Sequence, residues 1–425
     1  MHDDKLFIKC AFRLIPFLTI LYVVNFLDRN NVGFAALTMN EDLGISAASF
    51  GFGAGVFFAG YSLFQVPANL MLERIGARRW LAAILLVWGV ISASTALVQG
   101  ATGLFVIRFL LGAAEAGFVP GVFFYLTLWF PPAYRARFIA SFMAAAPLSG
   151  VIGGPLSGYL LGFEGVMGFK SWQLLFLIEG IPACLLAFAV LAYLPDNPQA
   201  ARWLTDDEKR RIATRLHGET PEGHGVLWRS LLDSRVIALG LVNFGVLAGA
   251  NGVSLWLPQI VKGMGFTNLV TGFIVALPNL ISVFVMILWG RSSDRRSERR
   301  LHVAIPAFVA AASFLTGSVL HVDAVILVAL GVTQIMLWSA IAPLIAMPPA
   351  FLSGSARAGG IALVVSIGQL GGFLGSSIIG VLKDRTGDYA AAMAVIGFTL
   401  IAAAGIVLMF GRGAPMRGGV AQASR

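Results

Sequence analysis

Charge is what this chain lacks most. Only 12% of its 425 residues are Asp, Glu, Lys or Arg, against about 25% in a typical soluble domain. That deficit excludes a water-soluble enzyme. Cysteine is nearly missing as well. Cys10 and Cys184 stand far apart, with neither a disulfide framework nor metal spacing, and both read as helix filler. Histidine is sparse: His2, His217, His224, His302 and His321 all fall in loops or at the ends of apolar runs. No nucleophile–base pair or metal spacing lies within those runs, so neither an enzyme nor a bound cofactor is expected.

Apolar residues are abundant, at 58% of the chain. A helix needs about 20 residues to cross the hydrocarbon of a bilayer. Twelve runs qualify, at 14–37, 49–72, 80–99, 103–129, 138–162, 172–194, 235–260, 269–290, 302–320, 323–347, 357–382 and 389–410. The fold class is therefore an all-α membrane protein with twelve transmembrane helices, and the lipid bilayer is its first partner. Lys5, Lys9 and Arg13 precede the first run as in a signal peptide. The run is too long, however, and holds Asp28-Arg29, so it reads as an uncleaved first span. With the N-terminus inside, 24 of the 30 basic residues fall on one face. The positive-inside rule then puts both termini in the cytoplasm, in a bacterial-type inner (plasma) membrane. Basic clusters here mark orientation, so nucleic acid is not expected as a partner.

The runs repeat. Glu73-Arg74, followed by Gly76, Arg78 and Arg79, recurs 221 residues later as Asp294-Arg295, followed by Arg299 and Arg300. Gly150, Gly154 and Gly158 recur as Gly372, Ser376 and Gly380 at an offset of 222. Two parallel halves around an axis normal to the membrane account for a constant offset. The expected organisation is two pseudo-symmetric six-helix bundles, 1–194 and 235–411. A cytoplasmic linker (195–234) carries a short polar helix opened by the capping box Thr205-Asp-Asp-Glu208. The tail, 412–425, is expected to be disordered. Glu73, Arg74, Arg78, Asp294 and Arg295 fit a conformational latch, in which the acid accepts from Arg and from a neighbouring helix N-terminus. Their alternative reading is basic charge that fixes topology. Gly51, Gly53, Gly55 and Gly60 in the second run read as close helix packing.

Four charges sit deep in the membrane: Asp28, Arg29, Arg108 and Glu115. A charge at the bilayer centre costs at least about 2.5–3.5 kcal/mol and marks a functional position by default. Tyr22, Asn25, Phe26 and Arg29 share one helix face at spacings of three and four, and Asp28 is rotated by about 100° from Arg29. Arg108 and Glu115 share a face two turns apart. One reading is a static cluster of ion pairs, Asp28 with Arg108 and Arg29 with Glu115. The functional reading gives Arg29 a carboxylate to bind through its fork. Asp28 and Glu115 then carry protons, because low dielectric favours the neutral acid. The second half offers neutral groups instead: Asn251, Ser254, Trp256, Asn279, Gln334, Trp338, Ser339, Ser366 and Gln369. Tyr61 and Gln65 complete the candidate pocket, and Glu179 reads as structural.

Leu27-Asp28-Arg29-Asn30-Asn31-Val32-Gly33, Arg108 to Gly117, Arg74-Ile-Gly76-Ala77-Arg78, Pro147 to Pro155, Trp172 to Gly180 and Trp256 to Lys262 resemble the anion:cation symporters of the major facilitator superfamily. The resemblance spans the whole chain except the tail. It implies the major facilitator fold, alternating access and proton-coupled import of a small organic anion such as a tartrate-like hydroxy acid or an aromatic acid. It places the substrate-binding arginine on Arg29, the proton-coupling acids on Asp28 and Glu115, the second arginine on Arg108 and a pocket residue on Tyr61. The proton is the coupling ion and a monomer is expected. An anion exchanger or a proton-driven exporter of acidic compounds is the alternative. Two departures stand out. Val365-Ser366-Ile367-Gly368-Gln369 replaces the Asn-Ser-x-Gly-Asn that sugar-acid members often carry, and Arg357 stands where a small residue is common.

Overall fold

A computed structural model describes residues 2–216, 233–352 and 354–409. The proposed tail 412–425 and the linker stretch 217–232 lie outside the described residues, as does the side chain of Arg357. The first half is built from α1 (His2–Leu43), α2 (Ala47–Ile75), α3 (Ala77–Ser94), α4 (Ala101–Glu115), α5 (Phe118–Thr127), α6 (Pro132–Met143), α7 (Ala145–Leu160) and α8 (Ser171–Tyr193). A short α9 (Asp206–Leu216) follows. The second half comprises α10 (Ser234–Gly263), α11 (Asn268–Arg296), α12 (Arg300–Val319), α13 (Asp323–Ile345), α14 (Gly354–Thr386) and α15 (Ala390–Met409).

Eleven helices among the described residues are long and apolar enough to cross a membrane, counting α4 with α5 as one. The twelfth expected span, 138–162, is not one helix. It breaks between Met143 and Ala145 into α6 and α7. Pro147 explains the break, since a proline ring collides with the carbonyl four residues back, here Met143. Pro120 interrupts α4–α5 in the same way at Ala116, and the Trp80 indole donates to the Gly117 carbonyl at 3.3 Å. The acidic stretch Thr38 to Asp42, which looks like a loop by composition, is the last turn of α1. Asp42 is held there by Lys170 (2.9 Å) and Trp172 (2.8 Å), and Gly44 with φ +61° ends the helix.

The capping box forms. Thr205 N–H donates to Glu208 Oε2 (2.9 Å) and Glu208 N–H to Thr205 Oγ1 (3.3 Å). Lys9 Nζ reaches Glu208 Oε1 at 2.8 Å, docking α9 on the start of α1. That ammonium holds the Glu208 carboxyl below its ordinary range.

The halves meet through α2 with α14, α7 with α11, and α1 with α10. The first two contacts are exchanged by the internal two-fold. Both run on small residues, which let backbones approach closely. A Cβ on Gly51 would lie 2.5 Å from the Ser376 carbonyl, and one on Gly55 would lie 2.7 Å from that of Phe373. Gly154 faces Gly272, Gly158 faces Asn268, and Gly33 faces Leu255 in the same manner. Asp384 of α14 accepts from the first backbone N–H groups of α2, Ala47 (3.1 Å) and Ala48 (2.8 Å). These contacts all lie toward the end of the bundle away from the N-terminus. The molecule is sealed at that face.

Candidate substrate and coupling site

The middle of α1 carries the site. Asn25 and Arg29, one turn apart, project toward α4. Arg29 Nη2 lies 3.0 Å from Glu115 Oε2, and Asn25 Nδ2 donates to the same oxygen at 2.9 Å. Glu115 is fully buried, and its Oε1 has no hydrogen-bond partner among the described residues. Arg108, 1% exposed, donates from Nη2 to the Arg29 carbonyl at 3.4 Å, while its Nε and Nη1 have no hydrogen-bond partner among the described residues. Gly112, between Arg108 and Glu115, is required because the Phe57 carbonyl of α2 occupies the space a Cβ would take. That close approach brings the Phe57 ring under both guanidinium groups, at 5.0 Å from Arg29 and 4.8 Å from Arg108. Phe26 (5.0 Å) and Tyr61 (5.1 Å) complete an aromatic cage around Arg29. Such faces attract a desolvated cation by about 2 kcal/mol. The ring faces themselves accept no hydrogen bond, and only the Tyr61 hydroxyl offers Arg29 an acceptor, so the cage leaves most of the two forks unsaturated.

Asp28 points elsewhere. Its two oxygens accept from Ser92 Oγ (2.6 Å) and Trp88 Nε1 (3.0 Å) of α3. The pairing of Asp28 with Arg108, one arm of the static-cluster reading, does not occur here. The 100° rotation along α1 turns Asp28 to α3, where two neutral donors receive it. Trp88, Ser92 and Phe57 escape a reading by charge alone. Their one sequence signal is a polar tip or ring in mid-span at the depth of the charged residues.

Beside this cluster, on the far side of Phe26, a narrow cavity lies between the halves. Asn30, Asn31, Ser149, Ser157, Ser254, Asn279, Gln334 and Trp338 line it, and no charged side chain does. Phe26 joins the two regions, with its ring 6.1 Å from Trp338. Gln334 Nε2 contacts Ser254 Oγ (3.3 Å) and Asn279 Oδ1 (3.4 Å). Ser366 and Gln65 meet across the halves at 3.4 Å, with Gln369 one turn along α14. Asn251 packs at Gly372 and Phe58.

Two expected pocket residues sit apart. Trp256 is wedged edge-on between Phe50 (5.1 Å) and Tyr389 (5.8 Å) near the sealed face. Ser339 is fully buried and donates to the Ile335 carbonyl of its own helix (2.8 Å). Helical phase gives the face a residue shares, and neither its depth nor its rotamer. The expected latch residues also pair differently. Arg78 binds Asp196 (2.9 Å) and the Leu191 carbonyl at the end of α8. Asp294 binds Arg299 at 2.6 Å rather than the adjacent Arg295. Both links stay within one half, and Glu73, Arg74 and Arg295 are exposed.

Comparison with known proteins agrees with this architecture. The family model for the Major Facilitator Superfamily matches residues 18–376. A protein of Agrobacterium vitis named "Putative tartrate transporter" is 46% identical over 98% of this chain and 97% of its own length. A "Quinolone resistance transporter" of Acinetobacter baumannii is 40% identical over 92% of this chain and 91% of its own. The crystal structure of a D-xylose-proton symporter superposes with a TM-score of 0.77 at 14% identity, covering 96% of this chain and 99% of that one. The chain belongs to the Major Facilitator Superfamily, as a multi-pass membrane transporter and not an enzyme.

Proposed function

We propose that this transporter imports a small organic anion, a tartrate-like hydroxy acid or an aromatic acid, together with protons. The observation that carries the reading is the uneven pairing of the four buried charges. Arg29 has a carboxylate partner, whereas Arg108 has, among the described residues, only a carbonyl and the face of the Phe57 ring. With both acids ionised, the site is neutral. Protonating Glu115 removes the partner of Arg29, and protonating Asp28 as well leaves two guanidinium charges, the countercharge of a dicarboxylate. At an effective dielectric of about 20, two charges about 4 Å apart interact by about 4 kcal/mol, or about a thousandfold in affinity. Proton binding and anion binding therefore favour one another without covalent chemistry. The neutral cavity beyond Phe26 would read the body of the anion, with Trp338 in its wall, and Tyr61, Ser366 and Gln369 would join it only through a change of conformation. The "Putative tartrate transporter" supports an acidic substrate by its name and near full-length similarity.

The latch residues would then act in the other conformation. The face carrying the N-terminus is not held shut by them here, and closing it would bring the Glu73 and Asp294 turns against neighbouring helices. The basic surplus of that face supports cytoplasmic termini in a bacterial inner membrane.

The test is uptake of radiolabelled tartrate and of a carboxylate panel by reconstituted protein. An inward proton gradient should drive accumulation, and collapsing the gradient should end it. A second reading, export or exchange of acidic compounds, is favoured by the "Quinolone resistance transporter" relative. Counterflow from preloaded vesicles without any proton requirement would establish exchange in place of symport.

A further inference from the structure

Glu179 is a buried carboxyl for which the scheme above has no role. It lies in α8, eight residues from the helix start at Ser171 and so about 12 Å below the sealed face. It is 4% exposed. Ser157 Oγ of α7 donates to its Oε1 at 2.8 Å, and the Asn31 amide of α1 lies beside the same carboxyl. Its Oε2 has no hydrogen-bond partner among the described residues.

Among the described residues, no cation pairs with it. Helix α8 packs on α1, α3 and α7. From α1 the titratable groups toward it are Asp28 and, at the sealed end, Asp42, which Lys170 and Trp172 already hold. Helix α3 brings Trp88 and Ser92, both donating to Asp28, and its arginines, Arg78 and Arg79, are at the opposite end. Tyr159 of α7 is exposed. A lone buried carboxylate costs several kcal/mol when nothing pairs with it. A structural hydrogen bond to Ser157 would be served equally by a glutamine.

Position argues for more than structure. Both neighbours of the carboxyl, Ser157 and Asn31, line the cavity between the halves. Asn31 is one turn beyond Asp28 on the same face of α1. The three buried acids therefore run along α1 from near the sealed face to the arginine cluster: Glu179, Asp28, Glu115. We propose that Glu179 is a third proton-carrying group of the transport cycle, stationed between the cavity and Asp28, and that it contributes one proton to the coupling. Its Oε2–H bond breaks when the proton passes to water or to the Asp28 carboxylate, leaving a Glu179 carboxylate that Ser157 and Asn31 solvate. The proposal rests on the proton-coupled reading above and adds a proton to it.

The experiment compares wild type with Glu179→Gln and Ser157→Ala in proteoliposomes, using radiolabelled tartrate. Glu179→Gln keeps the volume and the acceptor for Ser157. It should keep counterflow while its limiting accumulation falls about tenfold per unit of pH gradient, the loss of one proton. Ser157→Ala keeps the carboxyl, so whatever its KM, its accumulation should rise with the pH gradient as steeply as in wild type while its pH profile moves. Accumulation in Glu179→Gln equal to wild type overturns the proposal, as does uptake driven by sodium and lost in the same variant. Wild type that ignores the proton gradient fails the broader reading instead. Infrared spectra of purified protein across pH give a readout independent of tartrate. A titrating carboxylic-acid band present in wild type and absent in Glu179→Gln is expected; an unchanged band pattern overturns the assignment.

Discussion

Arg29 and Arg108 differ in their partners more than in their depth. Arg29 shares Glu115 with Asn25, whereas Arg108 leans on a carbonyl and the Phe57 ring. Lysine in place of Arg29 keeps the charge and loses the planar fork, so Arg29→Lys should raise KM for the anion about tenfold while the protein still folds, read by uptake kinetics. Phe57→Leu removes the ring common to both guanidiniums. Each ring contact is worth about 0.5–2 kcal/mol, and a KM several-fold higher with normal expression is expected. Asp28→Asn can accept from Trp88 through its oxygen and donate from its amide to the Ser92 hydroxyl, but it cannot release a proton. Gradient-driven uptake should disappear in this variant while counterflow survives. Proton-driven uptake at the wild-type rate would remove Asp28 from the coupling. The charged positions were readable in the sequence because charge in an apolar run is costly wherever it falls. The partners of Asp28 were not, because which of several neighbouring helices an α1 side chain meets is fixed only by tertiary packing.

Helix contacts carry the conformational side of the account. The sealed face depends on glycine pairs that allow backbones to touch and on Asp384 capping the start of α2. A carboxylate at a helix N-terminus is worth about 0.3–1 kcal/mol, more when partly buried. Asp384→Asn should therefore shift the population toward opening at that face, raising the labelling rate of a single cysteine placed in the cavity by about twofold to fivefold. Gly154→Leu should act more severely, since its Cβ would enter the Gly272 backbone; the same cysteine should stay open to the outside and transport should stop. At the other face, Lys9→Ala removes the tie from α9 to α1. The pair is partly exposed, so the loss should be no more than about 1 kcal/mol. Because the folded Glu208 carboxyl titrates below its ordinary range, that contribution is present above the unfolded value and vanishes as pH falls through the folded one. The wild-type advantage in melting temperature should shrink on acidification.

For the whole molecule, most of the architecture was legible. Hydropathy marked the spans, and the offset of 222 between Gly150-Gly154-Gly158 and Gly372-Ser376-Gly380 marked two halves whose matching helices form the seal. The breaks at Ala144 and at Ala116–Gly117 follow from Pro147 and Pro120, a signal that hydropathy averages away. Trp256 and Ser339 were misplaced relative to the pocket because periodicity carries no depth. Which face is sealed was not legible at all, since both conformations are made from the same spans. The central claim is that a buried arginine exchanges its carboxylate partner for a substrate carboxylate when protons arrive. Its most direct measurement is tartrate uptake into proteoliposomes under an inward proton gradient, by wild type and by Arg29→Ala. The account predicts accumulation above equilibrium in wild type and none in the variant. Equal accumulation by both would contradict it.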